Sequence, residues 1–249
     1  MALIEFTGLT KRYGHVTAVD DLTFVLAPGR ITGFVGANGA GKTTSMRMLL
    51  GLTRPTSGSV TIDGATYADL PDPIRSVGAM IDPNVFHPRR SARNALRTIA
   101  RVADIDDARV DEVLRLVGLT GAARRRAGGF SMGMRQRLAL AVALLGDPET
   151  LVLDEPVNGL DPEGVHWLRH LIRGMAAEGR TVFVSSHLLA ELAKTIDDVV
   201  IIANGRLVAH EPMASILGQA KESSLEDVYL SLVAPDGLPP SGHTAKDLS

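Results

Sequence analysis

The chain has 249 residues, 45% of them hydrophobic and 22% charged, a composition that supports a globular domain with a sizeable core and excludes wholesale disorder. With 26 basic and 28 acidic side chains the formal charge is −2, so bulk charge gives no footing for nucleic-acid binding. Cysteine is absent, which removes disulfides, thiolate metal sites and cysteine nucleophiles together.

In chain order, residues 1–8 hold no basic segment followed by an apolar run, so no signal peptide is expected. Residues 3–6, 22–25 and 60–62 read as strands near the N-terminus. Ile31–Val35 reads as a buried strand running into a glycine loop, and residues 43–50 as the helix after it. Residues 151–153, 181–184 and 199–202 read as later strands, apolar on consecutive positions as expected where both faces of a sheet are covered. No apolar run approaches the ~18 residues that span a bilayer. Strands alternating with helical patterns predict an α/β fold with a mainly parallel sheet.

Residues 91–146 change character. Val110, Val113, Leu114 and Val117 recur at helical spacing, Asp106 and Asp107 supply an N-terminal cap, and Gly118 supplies a stop. This predicts a helical subdomain, about 85–146, inserted between core segments of about 1–84 and 147–220. A short helix is expected after Pro212, and another over residues 225–233 with Leu225, Val228, Tyr229 and Leu232 on one face. The domain is expected to end near 233, with 234–249 as a disordered tail rich in Pro, Gly and Ser.

Gly36-Ala37-Asn38-Gly39-Ala40-Gly41-Lys42-Thr43 matches the phosphate-binding pattern G-x-x-x-x-G-K-[ST] between a strand and a helix. Converging backbone N–H groups need left-handed positions and no obstructing side chains. Lys42 would neutralise β/γ-phosphate charge, the Thr43 hydroxyl would ligate Mg²⁺, and the helix would aim its positive end at the phosphates. Downstream, the apolar run Leu151-Val152-Leu153 delivers Asp154 and Glu155 to a strand's carboxyl end, where open α/β sheets bind ligands. Asp154 is the candidate for holding Mg²⁺ and Glu155 for polarising the attacking water as general base. Alone, the two acids would read equally as a strand-end pair.

Together these residues resemble the ATP-binding subunits of ABC transporters. Phe130-Ser131-Met132-Gly133-Met134-Arg135-Gln136-Arg137-Leu138 looks like that family's signature loop and helix. Asn158-Gly159-Leu160-Asp161 resembles its D-loop, and Ser185-Ser186-His187 its switch histidine. Tyr13 stands where the family stacks an aromatic ring on adenine. The resemblance implies a P-loop NTPase core with antiparallel β elements on its N-terminal side and Mg²⁺-dependent ATP hydrolysis. It also implies a head-to-tail dimer, a homodimer favoured here, in which Ser131 and Gly133 of one copy reach the γ-phosphate held by the other's Lys42 loop. Gly36 through Thr43, with Thr44, Tyr13 and Asp161, would contact nucleotide. His187 would sense the γ-phosphate beside Glu155. A separate membrane permease would be the partner, placing the chain at the cytoplasmic face of a membrane.

Residues taken singly allow plainer readings: Ser131 and Asp161 as helix caps, Tyr13 as a turn aromatic, His187 as a residue at a helix start. The pattern also departs from the family at Asp82, where a metal-linking glutamine is usual, and at Met132 and Met134, where glycine and glutamine are commoner. These departures resemble bacterial exporters of antibiotics and peptides. The alternative is an ABC-type ATPase acting on DNA or the ribosome, but the segment between Lys42 and Ser131 is too short for a long coiled coil and the chain has length for one ATPase unit.

Overall fold

The computed structural model describes residues 2–83, 86–219 and 225–233. A small antiparallel sheet is made of β1 (Ile4–Tyr13), β2 (Val16–Leu26) and β4 (Ser57–Ile62) in the order β2-β1-β4. A six-stranded sheet is made of β3 (Ile31–Val35), β5 (Val77–Met80), β6 (Thr150–Leu153), β7 (Thr181–Ser186), β8 (Asp198–Ala203) and β9 (Arg206–Pro212). Its order is β5-β6-β7-β3-β8-β9, parallel throughout except for the antiparallel β8–β9 hairpin.

Period-two alternation divides the residues of this sheet between two cores. Ile31, Val35, Leu151, Leu153, Val182, Val184, Val199 and Ile201 join a core shared with the helices. Phe34, Val152, Phe183, Val200 and Ile202 join a second core shared with the antiparallel sheet, where Phe6, Phe24, Phe34 and Phe183 form an aromatic cluster. Coverage on both sides explains the unbroken apolar runs of β3, β6 and β7.

The helices are α1 (Lys42–Leu49), α2 (Pro73–Ser76), α3 (Ala92–Val102), α4 (Asp107–Leu116), α5 (Met132–Ala143), α6 (Pro162–Ala177), α7 (Leu189–Ala193), α8 (Met213–Gln219) and α9 (Leu225–Val233). The stretch 91–146 carries α3 to α5 and, among the described residues, no strand. Asp106 caps α4, accepting from Ala108 N at 2.6 Å, and Gly118 takes φ 71° just past its end.

Two strands escape the sequence pattern. β5 is four residues long and contains Gly78, because an added Cβ there would meet Ala143 O at 1.9 Å. β9 is a partly exposed edge strand whose apolar run is only Leu207 to Ala209, three residues packed against the two cores. The N-terminal strands are also longer than expected, since β1 and β2 pair with register shifts that carry them past their apolar segments. The tail 234–249 lies outside the described residues.

Candidate active site

The parallel sheet sets its functional loops side by side. Val35 pairs with Ser186 and Leu153 with Val184, so the loops leaving β3, β6 and β7 emerge at one edge. The β3 loop is held by backbone proximity: a Cβ at Gly36 would meet Ile202 O at 2.6 Å, and one at Gly41 would meet Ala18 O at 2.6 Å. Gly41 adopts φ 108° as the N-cap of α1, and no side chain caps that helix. Its first-turn N–H groups, at the positive end of the helix dipole, are left for an anion.

Lys42 is buried. Its Nζ donates to Gly36 O at 2.6 Å and Ala37 O at 3.2 Å, and lies 3.6 Å from Glu155 Oε1. Thr43 Oγ1 donates to Asp154 Oδ2 at 2.6 Å. The other oxygen of Asp154 accepts from Ser185 Oγ, which in turn accepts from Glu155 N at 2.9 Å. One serine thus fixes both acids, a role that the sequence pattern did not single out.

Glu155 combines two kinds of tension. Its backbone sits at φ 50°, a left-handed conformation that costs a non-glycine residue about 1 kcal/mol or more and clusters at functional sites. Its Oε1 is buried and accepts no hydrogen bond among the described residues, although Lys42 Nζ is near. Its Oε2 faces His187 Nδ1 at 2.7 Å and accepts from His187 N at 3.4 Å. Lys42 offsets the charge of this oxygen without hydrogen-bonding it, which leaves the acceptor able to orient a water.

The remaining candidates sit around this centre. Asp82 is exposed and follows β5 by two residues, at the edge carrying Asp154, whose N–H donates to Met80 O at 2.8 Å. Thr44 lies in the first turn of α1. Tyr13 is 51% exposed, with Lys11 Nζ 5.0 Å from its ring centroid, so one aromatic face already carries a cation. Asp161 caps α6 through Gly164 N at 2.8 Å, as its local sequence predicts.

Ser131 caps α5, accepting from Met134 N at 3.3 Å, and among the described residues no hydrogen bond joins it to the Lys42 loop. Gly133 lies against the D-loop segment: a Cβ there would meet Gly159 O at 3.0 Å. Met132 lies over Gly159, where a Cβ would meet its Cε at 2.3 Å and where φ is 74°, so the contact and the backbone both require glycine. A further link is Gln136, buried on α5, whose Nε2 donates to Glu155 O at 3.4 Å and Asn158 O at 3.0 Å. It ties the signature helix to the loop carrying the candidate base.

A phosphate loop, a strand-end acid pair and a switch histidine on one sheet edge, with a signature helix docked behind them, define an ATP-binding cassette. The family model described as ABC transporter matches residues 19–158, and the chain belongs to that family. Its sequence is 44% identical over 213 residues to the bacitracin transport ATP-binding protein BcrA of Bacillus licheniformis, spanning 84% of this chain and 70% of that protein. It is 32% identical over 206 residues to the lantibiotic transport ATP-binding protein SrtF of Streptococcus pyogenes, spanning 83% and 89%. A solved ATP-binding subunit of an ABC transporter superposes with a TM-score of 0.83 at 29% identity, covering 92% of this chain and 99% of that one. The dimeric structure of MJ0796, a bacterial ABC transporter cassette, superposes at 0.78 with 23% identity, a likeness of fold.

Proposed function

We propose that two copies of this chain hydrolyse ATP at composite sites and thereby drive a separate membrane permease that exports an antibiotic-class peptide or similar hydrophobic compound. The ATPase and transport class follows from the family. The residue roles, the pairing and the cargo are the proposal. The observation that carries it is the convergence of Lys42, Thr43, Asp154, Glu155 and His187 through contacts of 2.6–3.6 Å.

In this reading the Gly36–Thr44 segment and Lys42 hold the phosphates, and Tyr13 offers its ring to the base. Glu155 accepts the proton of the attacking water through Oε1, which takes no hydrogen bond among the described residues, and His187 holds the other oxygen in place. Mg²⁺, when bound, would neutralise phosphate charge from the Thr43 hydroxyl and Asp154, with Asp82 as a further oxygen at the same edge. Ser131 and Gly133 at the start of α5 supply the anion-binding N-terminus for the partner copy's nucleotide, and Asp161 stands at the seam. The helical segment of about 85–146 acts as the subdomain that presents them.

The chain works beneath the membrane at the permease. Among the described residues no helix is long and apolar enough to cross a bilayer. The names of the relatives favour transport over action on DNA or the ribosome. The test is ATP binding and turnover for wild type and Lys42→Ala. The expected result is loss of both in the variant, and normal turnover by Lys42→Ala contradicts the reading.

A further inference from the structure

The last described helix makes contacts that the cassette motifs do not account for. α9 packs Val228, Tyr229 and Val233 against the large core, and on the same helix face, three residues apart, it carries Glu226 and Tyr229. The Tyr229 hydroxyl accepts a hydrogen bond from Ala37 N at 3.0 Å. Ala37 is the second residue of the phosphate loop: its carbonyl accepts from Ala40 N at 3.1 Å and from Lys42 Nζ at 3.2 Å. The Ala37 N–H shares its planar peptide unit with Gly36 O, which accepts from Lys42 Nζ at 2.6 Å, so fixing that N–H fixes a carbonyl that orients the lysine.

Glu226 reaches the neighbouring loop. Its Oε1 accepts from Ala190 N at 3.0 Å, in the first turn of α7. The N-cap of α7, Leu188, has no side chain able to cap, so Glu226 provides the missing acceptor from another helix, with its negative charge at the favourable end of the dipole. α7 begins two residues after His187, and Leu188 N donates to Ser186 Oγ at 2.9 Å. Since Val35 pairs with Ser186, the two loops leave adjacent strands, and α9 lies across both.

We infer that Tyr229 and Glu226 are positioning residues for ATP hydrolysis: α9 clasps the phosphate loop and the His187 segment and holds them in register. Tyr229 acts through Ala37 on nucleotide affinity. Glu226 acts through α7 on His187 and so on turnover. The inference rests on the roles proposed above for Lys42 and His187.

The experiment measures equilibrium ATP binding and steady-state hydrolysis for the full chain in its permease complex, with His187→Ala as reference. Tyr229→Phe removes only the acceptor and is expected to raise Kd and KM for ATP about three- to tenfold, the range of one net hydrogen bond, with kcat close to wild type. Glu226→Ala is expected to lower kcat several-fold with KM close to wild type. Glu226→Gln, whose amide oxygen can accept the same N–H, is expected to restore kcat. Thermal midpoints of all three should match wild type. Wild-type KM for Tyr229→Phe together with wild-type kcat for Glu226→Ala overturns the clasp, as does a lowered thermal midpoint with KM and kcat per folded protein unchanged. A fast His187→Ala enzyme overturns the underlying role of His187 instead, which a slow His187→Ala beside a fast Glu226→Ala does not.

Discussion

Around Lys42 the polar side chains are already engaged with one another, whereas the Ser131 hydroxyl is engaged with Met134 N of its own helix. Thr43, Asp154, Ser185, Glu155 and His187 form a continuous chain of contacts, and Glu155 holds within it a strained backbone and an oxygen that accepts no hydrogen bond among the described residues. Ser131 satisfies Met134 N, and the α5 terminus it caps faces no phosphate loop of its own chain to which it is bonded. In the proposed reading the first half-site would react and the second would receive an anion held by another copy. The difference is what a single cassette would show if it were half of a catalyst.

The largest expected effect comes from removing the base in the engaged half. Glu155→Gln keeps the shape but cannot take a proton, so kcat should fall about 10²–10⁴-fold, the usual worth of general-base catalysis, with ATP binding retained. Single-turnover rates and nucleotide binding check this, and a wild-type rate would remove Glu155 from the mechanism.

The seam between the halves should be next. Gln136→Met fills the volume but removes the amide that donates to Asn158 O and, at longer range, to Glu155 O, which keeps Asn158 N as a donor; the expected loss is about 1 kcal/mol in denaturant unfolding, with a reduced kcat. Unchanged stability and kcat would make the α5 link ornamental.

The smallest effect lies at the far end of the helical segment. Asp147 bonds Arg180 at 2.7 Å and Arg109 at 3.1 Å, joining α4 to the segment before β7. The hydrogen bond from Arg180 is the main cause holding its carboxyl below the usual range. A carboxyl lowered by folding stabilises the protein above its unfolded pKa of about 4 and loses that stabilisation as pH falls through the depressed value. Because Asp147 is exposed, the contribution should not exceed about 1 kcal/mol. Asp147→Asn, which tolerates the left-handed backbone at φ 55°, should flatten stability against pH below about pH 4 and change little else.

The phosphate loop, the strand-end acids and the helix over 225–233 were legible because each depends on local chemistry: glycine geometry, an apolar strand ending in charge, a helical period. What the sequence hid is long-range. Ser185 meets Asp154 across 31 positions, Gln136 reaches Asn158 across 22, and Tyr229 reaches Ala37 across 192. No spacing rule encodes such pairs, since packing of separate elements creates them. β9 hid for a different reason: as a half-covered edge strand it carries only the three apolar residues Leu207 to Ala209, too short a run to write a pattern. The left-handed backbone of Glu155 was equally invisible, because nothing in a glutamate announces it.

The most direct test of the division between halves mixes two inactive proteins. Lys42→Ala lacks the phosphate-holding half and Ser131→Ala the receiving half, and each alone should hydrolyse ATP poorly. A mixed pair contains one site built from an intact Lys42 loop and an intact Ser131 helix, so the account predicts that combining them restores turnover well above either alone. Turnover that stays at the level of the separate variants across all mixing ratios, while mixed dimers demonstrably form, would contradict it.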